Sequence, residues 1–186
     1  QYTITFANTG DTTIAPITQD YGTAVTAPAE PSREGYTWGG WDKEIPATMP
    51  AENITITGKW TINQYTITFN TDGGSDVAPI KQDYGTTVTA PAAPTKTGYT
   101  FAGWDKDVPA TMPAENVTIT AKWTINSYNA TFDAAGVVFP DGKGTATVTA
   151  EFGAAFAAPA DPTKTGYTFA GWAPEVPSLM PAENVT

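Results

Sequence analysis

The segment Gln1-Tyr-Thr-Ile-Thr-Phe6 recurs, residue for residue, as Gln64-Tyr-Thr-Ile-Thr-Phe69. The offset is 63 residues, and Lys59-Trp-Thr-Ile-Asn63 returns at the same offset as Lys122-Trp-Thr-Ile-Asn126. A fixed period of this length is typical of a tandem array in which every copy adopts one fold. The fold of the chain is therefore the fold of one copy, repeated along the sequence.

A third copy follows, with a lengthened first part. Phe69 to Tyr84 is 15 residues in the second copy, whereas Phe132 to Phe152 is 20 in the third, so five residues are inserted. The run Pro140-Asp-Gly142 lies in the added stretch and has the composition of a turn. We predict a longer β-hairpin at this point.

Three repeats follow from these alignments, over residues 1–63, 64–126 and 127–186. The third contains no counterpart of residues 119–123, the last strand pattern of the second copy. We therefore predict that it lacks its closing strand and that the chain is a fragment of a longer array.

Within the second copy, apolar and polar residues alternate with the period of half-buried strands. This pattern predicts strands at residues 65–69, 86–89, 99–104 and 117–123. Residues 112–116 are expected to form at most one helical turn, because proline recurs too often for a longer helix. The fold class is accordingly all-β, or a β-rich α+β arrangement.

Two stretches of the second copy, Pro91-Ala-Ala-Pro-Thr-Lys-Thr-Gly-Tyr-Thr-Phe-Ala-Gly-Trp104 and Ala121-Lys-Trp123, resemble the Listeria–Bacteroides repeat family, also called the internalin B-repeat. The resemblance extends over all three copies. It implies small β-grasp-like units strung like beads in bacterial surface and secreted proteins, often in stalks and adhesins. The family's ligands are mostly undefined, so no binding residue is carried over. Residues 105–116 depart from the family pattern.

Composition restricts the possible functions. The net charge of −10 disfavours nucleic acid as a partner, since phosphate binding requires clustered Lys and Arg. No apolar run approaches the roughly 20 residues of a membrane-spanning helix, so direct membrane insertion is not expected. The chain contains no His and no Cys, the usual bases, thiolates and metal ligands. We expect no enzymatic activity, no catalytic residue, no cofactor and no metal site.

Three residues are candidate ligand contacts. Trp38 stands where the other copies carry Phe101 and Phe169, and an exposed Trp can stack on a sugar, although a core variant is the simpler interpretation. Asp105 and Asp107 are two apart on a predicted strand, so their carboxylates would face one side. Paired carboxylates suit acid–base chemistry or calcium, whereas a solvated strand end is the plainer interpretation.

The junctions Thr61-Ile-Asn63 and Thr124-Ile-Asn126 are too short to act as flexible linkers. They predict a semi-rigid spacer in which each repeat contacts its neighbours, within an extracellular protein of the bacterial surface or a secreted one. The alternative is a multivalent adhesive module that binds a host protein or glycan. Burial of Trp41 and Trp104 would favour the spacer, and a solvent-facing aromatic row would favour adhesion.

Overall fold

A computed structural model describes residues 1–186 and confirms an all-β fold, with ten strands and no helix. The strands are β1 (Tyr2–Ala7), β2 (Ile17–Gln19), β3 (Tyr36–Trp41), β4 (Ile54–Ile62), β5 (Gln64–Asn70), β6 (Ile80–Asp83), β7 (Tyr99–Trp104), β8 (Val117–Ile125), β9 (Ser127–Asp133) and β10 (Thr145–Glu151). The chain divides into two compact units, and the division falls inside the second repeat, with residues 1–69, 78–90 and 107–119 in one unit and the remainder in the other.

The first repeat is a four-stranded mixed sheet in the order β2-β1-β4-β3. β1 is antiparallel to β2 and parallel to β4. β3 is antiparallel to β4 and pairs with the edge of β4 that faces away from β1. The alternating apolar residues of β1 and β4 face one side, so Ile4, Phe6 and Ile56 form a core with Met49. The closing strand β4 is thus central, not peripheral.

The second repeat has the same strand order, β6-β5-β8-β7, as its near-identical sequence requires. In the third repeat β9 pairs with β10 in an antiparallel hairpin. The five added residues lengthen the edge strand from the four residues of β6 to the seven of β10. Met180, Phe132 and Phe139 lie in the core behind this hairpin.

The second predicted strand was placed wrongly. Residues 86–89 contribute only an isolated bridge at Thr87, and the edge strand is β6, which pairs with β5 from Gln64↔Asp83 to Ile67↔Ile80. The run Ile-Lys-Gln-Asp of β6 carries one apolar residue, so alternation gives almost no signal. Gly85, with a φ of 73°, then turns the chain away from the sheet.

The alternation predicted for the third strand is also wrong at its end. Strict alternation along residues 99–104 would place Trp104 on the face opposite Phe101, but a bulge between Phe101 and Gly103 shifts the register by one residue. The two rings therefore lie on the same face, with centroids 5.2 Å apart. Gly103 permits this bulge because its φ of 106° is open mainly to glycine.

A buried methionine holds each repeat together where the helical turn was expected. Met112 is 1% exposed, its N–H donates to the carbonyl of Thr86, and its carbonyl accepts from the N–H of Gly85, both at 2.9 Å. An extended backbone that pairs in this way cannot also form a helical turn. Met49 and Met180 have the same burial and equivalent bonds in the first and third repeats.

Substitution Met112→Ala is expected to lower the free energy of unfolding by about 2–5 kcal/mol, because it leaves a cavity in a side-chain site closed to solvent. Met112→Leu conserves volume and is expected to cost less than about 1.5 kcal/mol. Chemical denaturation followed by Trp fluorescence measures both. Equal costs for the two variants would contradict the assignment of Met112 as a packed core residue.

Candidate functional site

One residue joins each pair of neighbouring repeats. β4 ends at Ile62 and β5 begins at Gln64, so only Asn63 lies between the two sheets. The Asn63 N–H donates to the carbonyl of Gly35 in the first repeat, and its carbonyl accepts from the N–H of Tyr84 in the second, both at 2.9 Å. The joining peptide is therefore bonded on both sides, which leaves it little freedom to rotate.

The Asn63 side chain is likewise bonded to both repeats. Its Oδ1 accepts a 2.6 Å hydrogen bond from the Thr37 hydroxyl in the first repeat. Its Nδ2 donates to the Tyr65 hydroxyl of the second repeat at 3.3 Å. An amide head offers both a donor and an acceptor, so one Asn bonds to both repeats at once.

An aromatic ring covers a glycine at the same junction. The Tyr84 ring lies so close to Gly35 that an added Cβ would come within 2.0 Å of the Tyr84 Cδ1 atom. Gly35 is buried and has a φ of +73°, so both its backbone conformation and the space above it require glycine. Tyr36 contacts the same ring edge-on, with centroids 6.3 Å apart.

The second junction has the same construction. Asn126 donates its N–H to Gly98 at 2.9 Å and accepts from the Phe152 N–H at 2.8 Å. Its side chain accepts from Thr100 at 2.6 Å and donates to the Tyr128 hydroxyl at 3.2 Å. A Cβ on Gly98 would lie 2.1 Å from the Phe152 Cδ1 atom. The junction is therefore a property of the repeat and not of one pair.

The third copy of this glycine provides the comparison. Gly166 has a φ of +80°, close to the +73° of Gly35 and the +79° of Gly98. It is exposed, however, and nothing lies within 4 Å of the position its Cβ would take. The left-handed turn is thus intrinsic to each repeat, whereas burial of its glycine comes from the aromatic residue of the following repeat.

The two junctions differ in their electrostatics. Partial burial, together with the charge and hydrogen bond of the Glu34 carboxylate, raises the pKa of the Tyr84 hydroxyl above its ordinary value of 10.0. Asp11 and Tyr36 add smaller contributions in the same direction. The second junction carries Phe152 in this place, which has no hydroxyl to titrate.

Trp38 lies in an aromatic cluster of the first repeat. Its ring is half-buried and contacts the rings of Trp41 and Trp60, each with a centroid separation of 4.9 Å. It also covers Gly58, where an added Cβ would meet the Trp38 Cζ3 atom at 2.7 Å. The position equivalent to Gly58 is Ala121 in the second repeat, whose ring is the smaller Phe101. The larger ring thus occurs in the repeat with glycine and the smaller ring in the repeat with alanine, as expected of side chains that pack together.

Asp105 and Asp107 do not lie on a strand, contrary to the prediction, because β7 ends at Trp104. The Asp105 carboxylate accepts a 2.6 Å hydrogen bond from the Thr120 N–H, and the Asp105 N–H donates to the Thr120 carbonyl at 2.8 Å. Asp105 therefore continues the hydrogen bonding to β8 beyond the pair Trp104↔Ala121, while Asp107 is exposed in the next loop. No group of three or more acidic side chains is placed to hold a metal ion.

Only part of this site was predictable from the sequence. The short junctions predicted contact between neighbours, but not the residues that make it. A signal was present in the repetition of Gly-Tyr at the start of β3 and β7, and of an aromatic residue before Gly85 and Gly153. Nothing local shows that these two features meet, because Gly35 and Tyr84 lie in different repeats. Whether Trp38, Asp105 or Asp107 contacts a ligand stays a prediction.

Comparison with known proteins identifies the repeats. The family model described as the Listeria-Bacteroides repeat domain matches residues 2–62, 65–122 and 128–176, one match for each copy. Two proteins of Evansella cellulosilytica, a putative membrane protein and a putative Gly-rich membrane protein, are 33% and 32% identical over 92% of this chain. Internalin H of Listeria monocytogenes is 40% identical over 55% of the chain.

These relatives are much longer proteins. The chain spans 27% and 21% of the two Evansella proteins and 22% of internalin H. No helix of the structure combines the length and the apolar character needed to cross a membrane. Among solved structures, streptococcal SHIRT domains 3–4 from a cell surface protein match 67% of this chain and 97% of their own, at 20% identity and a TM-score of 0.22.

Substitution of alanine for Gly35, Gly98 or Gly166 distinguishes the effect of junction packing from the effect of backbone strain. All three substitutions place a side chain at positive φ, but only Gly35→Ala and Gly98→Ala collide with a ring of the next repeat. We expect these two to broaden the distance distribution between spin labels on the adjoining repeats. The chain has no Cys, so labels at Glu52 and Lys81 are introduced cleanly for the first junction.

Gly166→Ala is the matched control, with the same strain and no ring above it. It is expected to lower local stability without changing the label distances at either junction. If Gly166→Ala broadened the distances as much as Gly35→Ala does, the effect would arise from the turn and not from the junction.

The raised pKa of Tyr84 makes the first junction sensitive to alkaline pH. A pKa higher in the packed state than in the open one stabilises packing below the ordinary Tyr pKa, and this contribution is lost as pH rises through the raised value. Label distances across the first junction are therefore expected to broaden above about pH 10. Tyr84→Phe, which copies the ring of Phe152, should remove this dependence at unchanged distances near neutral pH. An identical pH profile for the two proteins would exclude Tyr84 as the titrating group.

Proposed function

Since the chain belongs to the Listeria–Bacteroides repeat domain family, we propose that it is a structural spacer of a bacterial surface or secreted protein. In this proposal the array holds another part of the parent protein away from the cell, as the stalk of an adhesin does. The repeat units are residues 1–63, 64–126 and 127–186, and their main partners are their own neighbours. Similarity to part of internalin H supports this proposal.

The observation that carries it is the construction of the junctions. A flexible linker would contain several residues without fixed hydrogen bonds. Here Asn63 and Asn126 are each the only residue between two strands, and each is bonded on both sides through backbone and side chain. A joint made from one ordered residue transmits orientation from one repeat to the next, which a spacer of defined reach requires.

Charge and modularity fit the same role. A net charge of −10 keeps neighbouring chains apart by mutual repulsion and favours solubility outside the cell. Each repeat contributes both halves of a junction, a glycine for the following neighbour and an aromatic ring for the preceding one. Copies can therefore be added or removed without a new interface, so that the length of the array is set by their number.

Adhesion is the second candidate, favoured by one observation. Trp38, Trp41 and Trp60 bring three indole rings into contact in the first repeat, and half-buried aromatic groups of this kind suit stacking on a sugar. Trp38 is found in the first repeat alone, because its equivalents in the second and third repeats are Phe101 and Phe169. A multivalent contact with a host protein or glycan would need equivalent residues in every copy, so the spacer is the better supported function.

Deletion of residues 64–126 tests modularity. It joins Asn63 directly to Ser127 and places Phe152 where Tyr84 stood, opposite Gly35. We expect a folded protein whose maximum dimension, measured by small-angle X-ray scattering, is shorter by about one repeat, with no added flexibility.

Deletion of residues 63–126 is the control, because it also removes the joining Asn. This variant is expected to show a more flexible scattering profile than the first deletion. If both deletions gave the same profile, the joining Asn would not order the junction and the spacer proposal would lose its main support.

A further inference from the structure

The outer strand of the third repeat is the longest of the three equivalent edge strands. β10 has seven residues, against three in β2 and four in β6. It pairs with β9 along its whole length, from Thr145↔Asp133 to Glu151↔Ser127, and no strand lies on its other side. This edge is part of the repeat fold, since β2 and β6 take the same outer place in the complete sheets.

The first two repeats carry a proline at this edge, and the third does not. Alignment on the aromatic residue that precedes Gly22, Gly85 and Gly153 makes Pro16 and Pro79 equivalent to Thr147. β2 and β6 begin directly after their proline, whereas β10 extends through the equivalent position. Proline and charged side chains prevent a sheet edge from pairing with another chain. β10 lacks proline and has a single charged residue at its end, so its edge is unprotected.

The free hydrogen-bonding groups of this edge belong to its threonines. Directly after β10, the Phe152 N–H donates to the Asn126 carbonyl at 2.8 Å, which continues the pairing with β9. Backbone groups alternate in direction along an antiparallel strand, so the even-numbered residues of β10 point theirs at β9. Thr147 and Thr149 therefore direct their N–H and C=O groups away from β9, and both residues are exposed.

The sequence of β10 is nearly a palindrome centred on Val148. In both directions from Val148 the next residue is Thr and the one after it is Ala. A two-fold axis at Val148 thus pairs two antiparallel copies of β10 with Thr147 opposite Thr149. These threonines have outward backbone groups, so each such pair can exchange two N–H···O bonds. Val148 then lies opposite its own copy as a non-hydrogen-bonded pair, because its backbone groups point at β9.

We propose that β10 pairs in antiparallel with β10 of a second copy of this chain, about a two-fold axis at Val148. The contact is isologous, because the same patch of each copy is used. On one face Val148 meets its equivalent beside Ala146 and Ala150, which pack against the core of the third repeat. On the other face lie cross-strand threonine pairs, which stabilise antiparallel sheets.

Charge opposes this pairing at long range but not at the contact. Each chain has a net charge of −10, so two copies repel each other. The only charged residue of β10, Glu151, lies opposite Thr145 in the paired register. Salt screens the long-range repulsion, so the dimer is expected to tighten as ionic strength rises. This association goes beyond the spacer function, which a single chain can perform.

Sedimentation velocity of the full 186-residue chain over a range of concentrations and salt provides the first test. We expect a reversible monomer–dimer equilibrium that shifts to dimer with salt. Thr147→Pro copies Pro16 and Pro79 and removes an outward donor from each copy, so it should weaken the dimer at least about tenfold. Thr147→Val retains the N–H group and should dimerise like the parent chain.

A monomer at every concentration up to about 1 mM would overturn the proposal. Equal dimerisation of Thr147→Pro and the parent chain would also overturn it, because the contact would then lie elsewhere.

Cysteine crosslinking tests the register without relying on the proline variant. The chain has no Cys, so Val148→Cys introduces a single thiol. Residues of a non-hydrogen-bonded pair have Cα atoms about 4.5 Å apart, within the range that a disulfide spans, so an added oxidant should yield a covalent dimer. Ile80→Cys is the matched control, since it occupies the same half-buried position in β6 behind Pro79 and should stay monomeric. Equal crosslinking of the two variants, or none of Val148→Cys, would contradict the proposed pairing.

Discussion

The peptide at Asn63, and its equivalent at Asn126, is the constraint on which the array depends. Its N–H bonds to the carbonyl of a glycine in one repeat, and its carbonyl accepts from an aromatic residue of the next. These bonds place the ring of Tyr84 or Phe152 over that glycine, and only glycine leaves room for it. Hydrogen bonding and packing therefore fix the same geometry, so each stabilises the other. One residue and one ring therefore connect neighbouring sheets in a chain that is built from copies.

Inside a repeat, the closing strand has the equivalent importance. It pairs with the first strand on one side and with the third on the other, and its apolar residues lie in the core. The same strand ends at the joining Asn, so completion of one sheet also positions the next. Residues 167–172 of the third repeat have the sequence of β7 but no strand structure, in a repeat that contains no counterpart of residues 119–123. Folding of each unit and connection between units thus rely on one segment.

The sequence predicted what depends on local pattern. Strands β5, β7 and β8 were found from alternation, and the family from a long, specific motif. β6 was placed wrongly because its residues Ile80–Asp83 carry little hydrophobic signal and form a strand only by pairing with β5. The bulge at Gly103 reversed the expected face of Trp104, since a positive φ is not visible in a pattern of apolar residues. The junction was missed because Gly35 and Tyr84 come together only once two repeats have folded.

Amide hydrogen exchange at the joining residues is the most direct measure of an ordered junction. The N–H groups of Asn63, Tyr84, Asn126 and Phe152 are each bonded to a backbone carbonyl across or beside the joint. If the joints are ordered, these amides exchange as slowly as those of the buried strand residues Ile67 and Ile119. Exchange at the rate of an unstructured peptide, with the strands still protected, would show that the repeats are connected by flexible linkers and would contradict the account.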